Sequence, residues 1–331
     1  MNRCPQGLFL SQAISGFIKY KVVEGLSERT LVSYQHQLDR LVGYLGDICL
    51  VDINTLHIED FIYWLRTDYE PQRVTGNQKP LSGKTIYNYW VTLKSFFTWA
   101  HQREFIESDP MVAVPRPKFT ERPVDPFTRE EIDKLLKACR HSRVAETNGR
   151  QAFKMARPTY RRDEALILFL LDTGVRASEL CALRLCDVDM GTGEVTIQHG
   201  KEGGAKGSTG RSVYIGKATR RTLWRYLVER GVENDEDAPL FTTIYDKPLN
   251  RDSLRLIFRR LGEAAGLKAC HPHMFRHTFA ISYLRSDGDV LTLQTLLGHA
   301  SLEMVKRYAR LAKIDLQRSH GRASPVDNWG L

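Results

Sequence analysis

Four short stretches of this chain collect the residue types that chemistry on an anion requires. Pro272 can occupy the first turn of a helix, and from there His273, Arg276 and His277 fall three and four residues apart, on one face. Phe275 and Phe279, four apart, form a second face suited to a core, which would hold the polar trio away from the greasy side. Gly298-His299 ends an amphipathic segment, Val290 to Leu297, that Asp289 can cap; the glycine is a natural helix stop and sets His299 at a rigid corner. Tyr308 follows nine residues later, beside Lys306, Arg307 and Arg310. Thr173-Gly174-Val175-Arg176 sits at a break between two helical stretches, with Ser178 and Glu179 just beyond. Attack on a phosphodiester asks for such groups. Negative charge builds on the non-bridging oxygens, and the planar fork of arginine matches two of them at once, as lysine cannot. A tyrosine, with a reference pKa near ~10, attacks as phenolate only in a cationic site.

Taken singly, each stretch has a plain structural reading. The histidine–arginine helix is equally well a basic surface helix. A corner histidine can be structural, a tyrosine among cations an interface residue, and an arginine in a turn a cap for carbonyls. His271, His273, His277 and His299 also raise a metal-dependent hydrolase, but such sites add carboxylates or cysteines, and none is placed to join them.

The order of the stretches decides between these readings. Residues 163–310 resemble the catalytic domain of the tyrosine recombinases, the phage integrase family. The strings that carry the resemblance are Thr-Gly-Val-Arg-Ala-Ser-Glu-Leu at 173–180, His-Pro-His-Met-Phe-Arg-His-Thr-Phe-Ala at 271–280, Leu-Leu-Gly-His-Ala-Ser at 296–301, and Tyr308. Residues 8–119 resemble, more loosely, the family's helical core-binding domain. The resemblance implies that Arg176 and Arg276 clamp the phosphate, that His273 and His299 add donors or shuttle protons, and that Tyr308 is the nucleophile. It also implies that a lysine of a β-hairpin, Lys201, protonates the leaving 5′-oxygen. The hairpin here is long and holds a second lysine, Lys206. The implied product is a covalent 3′-phosphotyrosine, made without metal, nucleotide or other cofactor. Consistently, the sequence holds no phosphate-binding glycine loop and no acidic cluster suited to two magnesium ions. The implied partners are double-stranded DNA sites, with a homotetramer on synapsed DNA and protomer contacts through the C-terminal tail. A DNA-binding protein with retired catalysis would have lost one of Arg176, Arg276 or Tyr308, and the layout is more like recombinases than relaxing topoisomerases.

The elements that must position these residues are mainly helical. The reading is of a helical bundle with SAM-like fold over 1–119, a linker over 120–127, and an α-rich catalytic domain with a small antiparallel sheet over 128–331. Four helices fill the first part: Leu10 to Val23; one after the N-cap Ser27 with Leu31, Tyr34, Leu38, Leu41 and Leu45 at helical spacing; His57 to Tyr69; and one from Ser82 dense in aromatics. On the last, Lys84 and Lys94 could meet phosphates, or simply line a solvated face. Few residues precede the first helix, so no separate arm-type domain is expected. A proline-rich stretch, 115–123, reads as the interdomain connection. A helix follows Thr128, and residues 140–162 form a basic loop. Two helices break at Gly174. Strands at 194–199 and 211–215 flank a glycine-rich loop, and a short strand is expected at 240–243.

The bulk properties agree with a polyanion partner. Net charge is +9. Residues 1–119 hold 13 basic and 12 acidic side chains, and the remainder 35 and 27, so the excess lies in the second part. Cysteines at 4, 49, 139, 181, 186 and 270 form no CxxC pair and read as reduced thiols, which implies the cytoplasm. No apolar run approaches the ~20 residues of a membrane span.

Overall fold

A computed structural model describes residues 8–71, 79–120, 125–140, 157–198, 210–231, 235–298, 305, 308–309, 320 and 324–330. The chain divides into two compact units, Met1–Arg122 and Pro123–Leu331.

The first unit holds four helices, α1 (Leu10–Val23), α2 (Glu28–Leu45), α3 (Thr55–Thr67) and α4 (Gly83–Gln102). Three of them begin where a side chain satisfies an otherwise unpaired amide: Ser27 accepts from Thr30, Asn54 from His57, and Ser82 from Thr85. Helix α4 is the spine. Its Leu93, Phe96, Phe97 and Ala100 are buried at helical spacing, and Phe17 of α1 packs its ring against Phe96, Trp99 and Tyr34. Lys94 is tied to Asp109 at 2.7 Å, and Lys84 lies over the rings of Tyr87 and Phe119. Phe9 pairs with Cys49 in an isolated antiparallel bridge, which brings another stretch of chain against this cysteine. Cys49 is disulfide-bonded, with its partner outside the described residues, so the expectation of six reduced thiols fails here. Cys139, Cys181, Cys186 and Cys270 are free.

The second unit is built around α6 (Tyr160–Thr173), whose Ala165, Leu166, Ile167, Phe169 and Leu170 are all fully buried. Around it stand α5 (Arg129–Arg140), α8 (Lys217–Arg230) and α10 (Pro272–Arg285); α9 (Arg251–Ala264) packs on α5 and α7 (Ala177–Ala182). Strands β1 (Glu194–Ile197) and β2 (Arg211–Tyr214) pair antiparallel, with Glu194 opposite Tyr214 and Ile197 opposite Arg211. Val195 and Val213 face the core. Helix α11 (Val290–Leu297) and a short α12 (Pro325–Trp329) lie further along the chain.

Two expectations change. Helix α6 begins inside the stretch expected as loop, because buried Asp163 holds Arg157 and Arg162 at 2.7 and 2.8 Å, turning two arginines of that basic run inward. No strand forms at 240–243. A tight turn, with the Thr243 amide on the Lys247 carbonyl, leaves only an isolated bridge between Thr242 and Pro248.

Candidate active site

The site is organised by the carboxyl end of α11. A helix leaves its last carbonyls without intrahelical partners and carries partial negative charge there. Gly298 ends α11 in the left-handed conformation, φ +59°. Three arginines then take three successive carbonyls. The Nε of Arg211 donates to Leu296 at 2.7 Å, an Nη of Arg276 to Leu297 at 2.6 Å, and an Nη of Arg176 to Gly298 at 2.8 Å. Residues separated by up to 122 positions in sequence are thus gathered at one helix end.

Arg176 is the N-cap of α7, and Glu179 stands three residues on, where its carboxylate accepts the Arg176 amide at 2.8 Å. The same carboxylate accepts the Arg176 guanidinium at 2.8 Å and both Nη atoms of Arg211, at 3.0 and 2.8 Å. Burial alone would push the Glu179 carboxyl up. The hydrogen bonds and charge of Arg211, with those of Arg176, outweigh it and hold the group at about 2. Arg276 is 1% exposed. Its other Nη donates to the Gly174 carbonyl at 2.9 Å. Burial, then the positive charge of Arg176, draws its pKa down to about 10, with Glu179 and Tyr308 pulling the other way, so it remains charged at neutral pH.

Tyr308 closes the group. Val305, Tyr308 and Ala309 are helical, and Tyr308 is 4% exposed. Its ring lies 5.4 Å from that of His277, which stands 4.3 Å from His273 and nearly perpendicular to it. The three rings form a row running from exposed His273 through half-buried His277 to the buried phenol. Among the described residues no three His, Cys, Asp or Glu side chains cluster as metal ligands.

Arg176, Arg276, His273 and Tyr308 therefore come together. Lys201, Lys206 and His299 lie outside the described residues. The sequence reading of α10 needs one correction: Arg276 belongs to the buried side of the helix with Phe275, Thr278 and Ile281, and is not held away from the core with the histidines. It can be buried because two carbonyls and the field of Glu179 receive it. The capping reading of Arg176 is also correct, since its fork holds Gly298. Sequence reasoning assigned no role to Glu179 or Arg211. Spacing signals the first, a carboxylate three residues after an N-cap. Strand alternation signals the second, a charge at the inward position two before Val213.

Comparison with known proteins agrees with this layout. The family model described as "Phage integrase family" matches residues 126–314, and "Phage integrase SAM-like domain" matches residues 12–116. The chain is 29% identical over 323 residues to tyrosine recombinase XerC of Oceanobacillus iheyensis, covering 95% of this chain and 96% of that one. In structure it is similar to the Tn1549 transposon integrase solved with transposon right end DNA, with TM-score 0.74, 20% identity, and 96% and 99% of the two chains covered. It is also similar to the lambda integrase tetramer bound to a Holliday junction, with TM-score 0.65, 18% identity, and 89% and 78% covered. At these identities the structural likenesses establish the fold.

Proposed function

Because the chain belongs to the phage integrase family of tyrosine recombinases, we propose that it carries out site-specific recombination by cutting and rejoining double-stranded DNA through Tyr308. The observation that carries this reading is the convergence of Arg176 and Arg276 on the adjacent Gly298 and Leu297 carbonyls, next to the pairing of Tyr308 with His277.

In this reading the phenolic oxygen of Tyr308, giving up its proton to the neighbouring histidines, attacks the scissile phosphorus. A bond forms between them, and the bond to the 5′-oxygen breaks. The product is a 3′-phosphotyrosine and a free 5′-hydroxyl, whose proton comes from Lys201. The 5′-hydroxyl of another strand reverses the step. Arg176 and Arg276 stabilise charge that grows on the non-bridging oxygens; fixed donors of this kind contribute roughly 3–4 kcal/mol each in well-studied oxyanion sites. His273, with His299, supplies further donors or moves a proton. No metal or nucleotide enters the scheme. Tyr308 is buried in the DNA-free chain, so it must move outward to reach a phosphate.

We place 1–119 as the DNA-gripping unit, 120–127 as the linker and 128–331 as the catalytic unit. Two protomers would occupy each site and four the synapse, as in the lambda integrase assembly. The tail would dock on a neighbour, which the exposed Trp329 and Val326 of α12 favour. Among the described residues no helix is long and apolar enough to cross a membrane. We assign the enzyme to the cytoplasm, with the DNA it would act on, although Cys49 departs from the thiol pattern that first suggested it.

Replacing Tyr308 by Phe keeps the ring and removes the nucleophile. The variant is expected to bind DNA and trap none of it covalently. Adducts formed by Tyr308→Phe at the wild-type level would overturn the assignment.

A further inference from the structure

Arg211 opens β2 opposite Ile197, and its side chain is 4% exposed. All three of its nitrogens are engaged by the protein: Nε by the Leu296 carbonyl, Nη1 and Nη2 by the two oxygens of Glu179. With its fork on Glu179 and its Nε on Leu296, its guanidinium is turned to the protein side of the cluster. Glu179 in turn receives four hydrogen bonds, two from Arg211 and two from Arg176. Four is about the capacity of an ionised carboxylate. A protonated or rotated Glu179 would have to release at least one of them, and the Arg211 fork prevents both.

We propose that Arg211 is a positioning residue for strand cleavage: by clamping both oxygens of Glu179 and the Leu296 carbonyl, it holds Arg176 in the orientation that grips the phosphate. This rests on the reading of Tyr308 as nucleophile. A further contact supports it. A Cβ added at Gly298 would lie 2.9 Å from the Arg211 Nη1. The helix end that presents its carbonyls to all three arginines is therefore seated directly against this side chain, leaving the pair little freedom to shift.

Among the described residues, the charged groups facing Glu179 are Arg176 on its own turn and Arg211 from β2, with Arg276 from α10 beside them; Tyr308 acts on Arg276, and His277 and His273 lie beyond the phenol. Removing the Arg211 charge takes away the strongest of the influences that hold the Glu179 carboxyl down against burial, so it takes a proton, and loosens its hold on Arg176, at a higher pH than in wild type. The histidines are present in every variant and cancel in the comparison.

The test is single-turnover formation of the covalent adduct by the full-length chain, followed against pH. The substrate is a duplex carrying the site recovered by sequencing DNA trapped on the wild-type protein. Arg211→Gln is expected to be roughly 100-fold slower near neutral pH. It should also lose rate further between about pH 7 and pH 5, a limb beyond any shown by wild type. The added limb should vanish in the Arg211→Gln/Glu179→Gln double variant, where no carboxyl remains to titrate. Arg211→Lys keeps the charge without the fork, so its loss should be smaller and its limb displaced to lower pH. Thermal unfolding identifies a variant that has failed to fold, and Arg211→Lys then decides. A wild-type rate in either folded variant overturns the proposal. So does a slow rate with an unchanged pH profile in Arg211→Gln, or an added limb that survives in the double variant. If the wild-type protein traps no DNA, or Tyr308→Phe still does, the cleavage reading itself falls, a result visible before any Arg211 variant is made.

Discussion

Gly298→Ala separates backbone strain from the packing of the arginine cluster. Gly298 has φ +59°, where an L side chain costs about 1 kcal/mol. The new Cβ would stand 2.9 Å from the Nη1 of Arg211 and 3.1 Å from its Cζ. A flexible arginine end usually yields to such a contact. This one is fixed by the Leu296 carbonyl and both oxygens of Glu179, so yielding means weakening charged hydrogen bonds worth about 1.5–3 kcal/mol each. With one such bond lost the sum is about 2.5–4 kcal/mol, or a fall in Tm of roughly 5–16 °C for a unit of this size. Gly231→Ala supplies the control. Its φ is +65°, and an added Cβ meets nothing within 4 Å, so it should lose only the strain, about 1 kcal/mol and 2–4 °C. Gly298→Asn, which tolerates the left-handed backbone but keeps the Cβ, should fall between them. Calorimetry of the three variants measures the differences directly. If Gly298→Ala melts no lower than Gly231→Ala, Arg211 is not fixed by Glu179 and the Leu296 carbonyl.

Glu179 links the cluster to acid stability. Its folded pKa, about 2, lies below its ordinary 4.5, so its contribution is complete above that value and is lost as pH falls from there towards 2. The shift corresponds to on the order of 3 kcal/mol at neutral pH, and Tm measured against pH should lose this part of its acid limb in Glu179→Gln. Cleavage is expected to survive excess EDTA, because arginines stand where a metal would; activity lost to chelation and restored by Mg²⁺ or Zn²⁺ would favour a hydrolase. Lys201→Ala should slow cleavage far more than Lys206→Ala, and a 5′-bridging sulfur, which leaves without a proton, should rescue Lys201→Ala alone. Rescue of Lys206→Ala instead would move the acid to the second lysine.

Periodicity and capping were enough to place α1, α2 and α4, because those helices begin at Ser27 and Ser82 or carry a clear apolar stripe. The strings around Arg176, Arg276 and Tyr308 identified the chemistry for a different reason: residue types and order are properties of the chain itself. What escaped was the wiring between them. That Leu296, Leu297 and Gly298 each present a carbonyl to a different arginine depends on where α7, β2 and α10 end in space, which no local window contains. Arg276 looked like a surface residue because its neighbours His273 and His277 are polar; its burial follows from acceptors 21 and 102 positions away. The missing strand at 240–243 has the same origin. Those residues pair only at isolated points, with Leu183 on one side and with Leu249 and Pro248 on the other, too few in succession to make a strand.

The burial of Tyr308 has a consequence for when DNA is broken. A phenol packed against His277 and 4% exposed has to leave this packing before its oxygen meets a phosphate. If emergence costs about 2.7 kcal/mol, roughly one protomer in a hundred is armed at any moment, and the observed rate falls by the same factor. Contacts that favour the emerged tyrosine, whether from bound DNA or from an adjoining protomer, raise that fraction without altering the arginines. Stray binding by a protomer that lacks such contacts would then break the backbone about a hundredfold more slowly than a complex that supplies them.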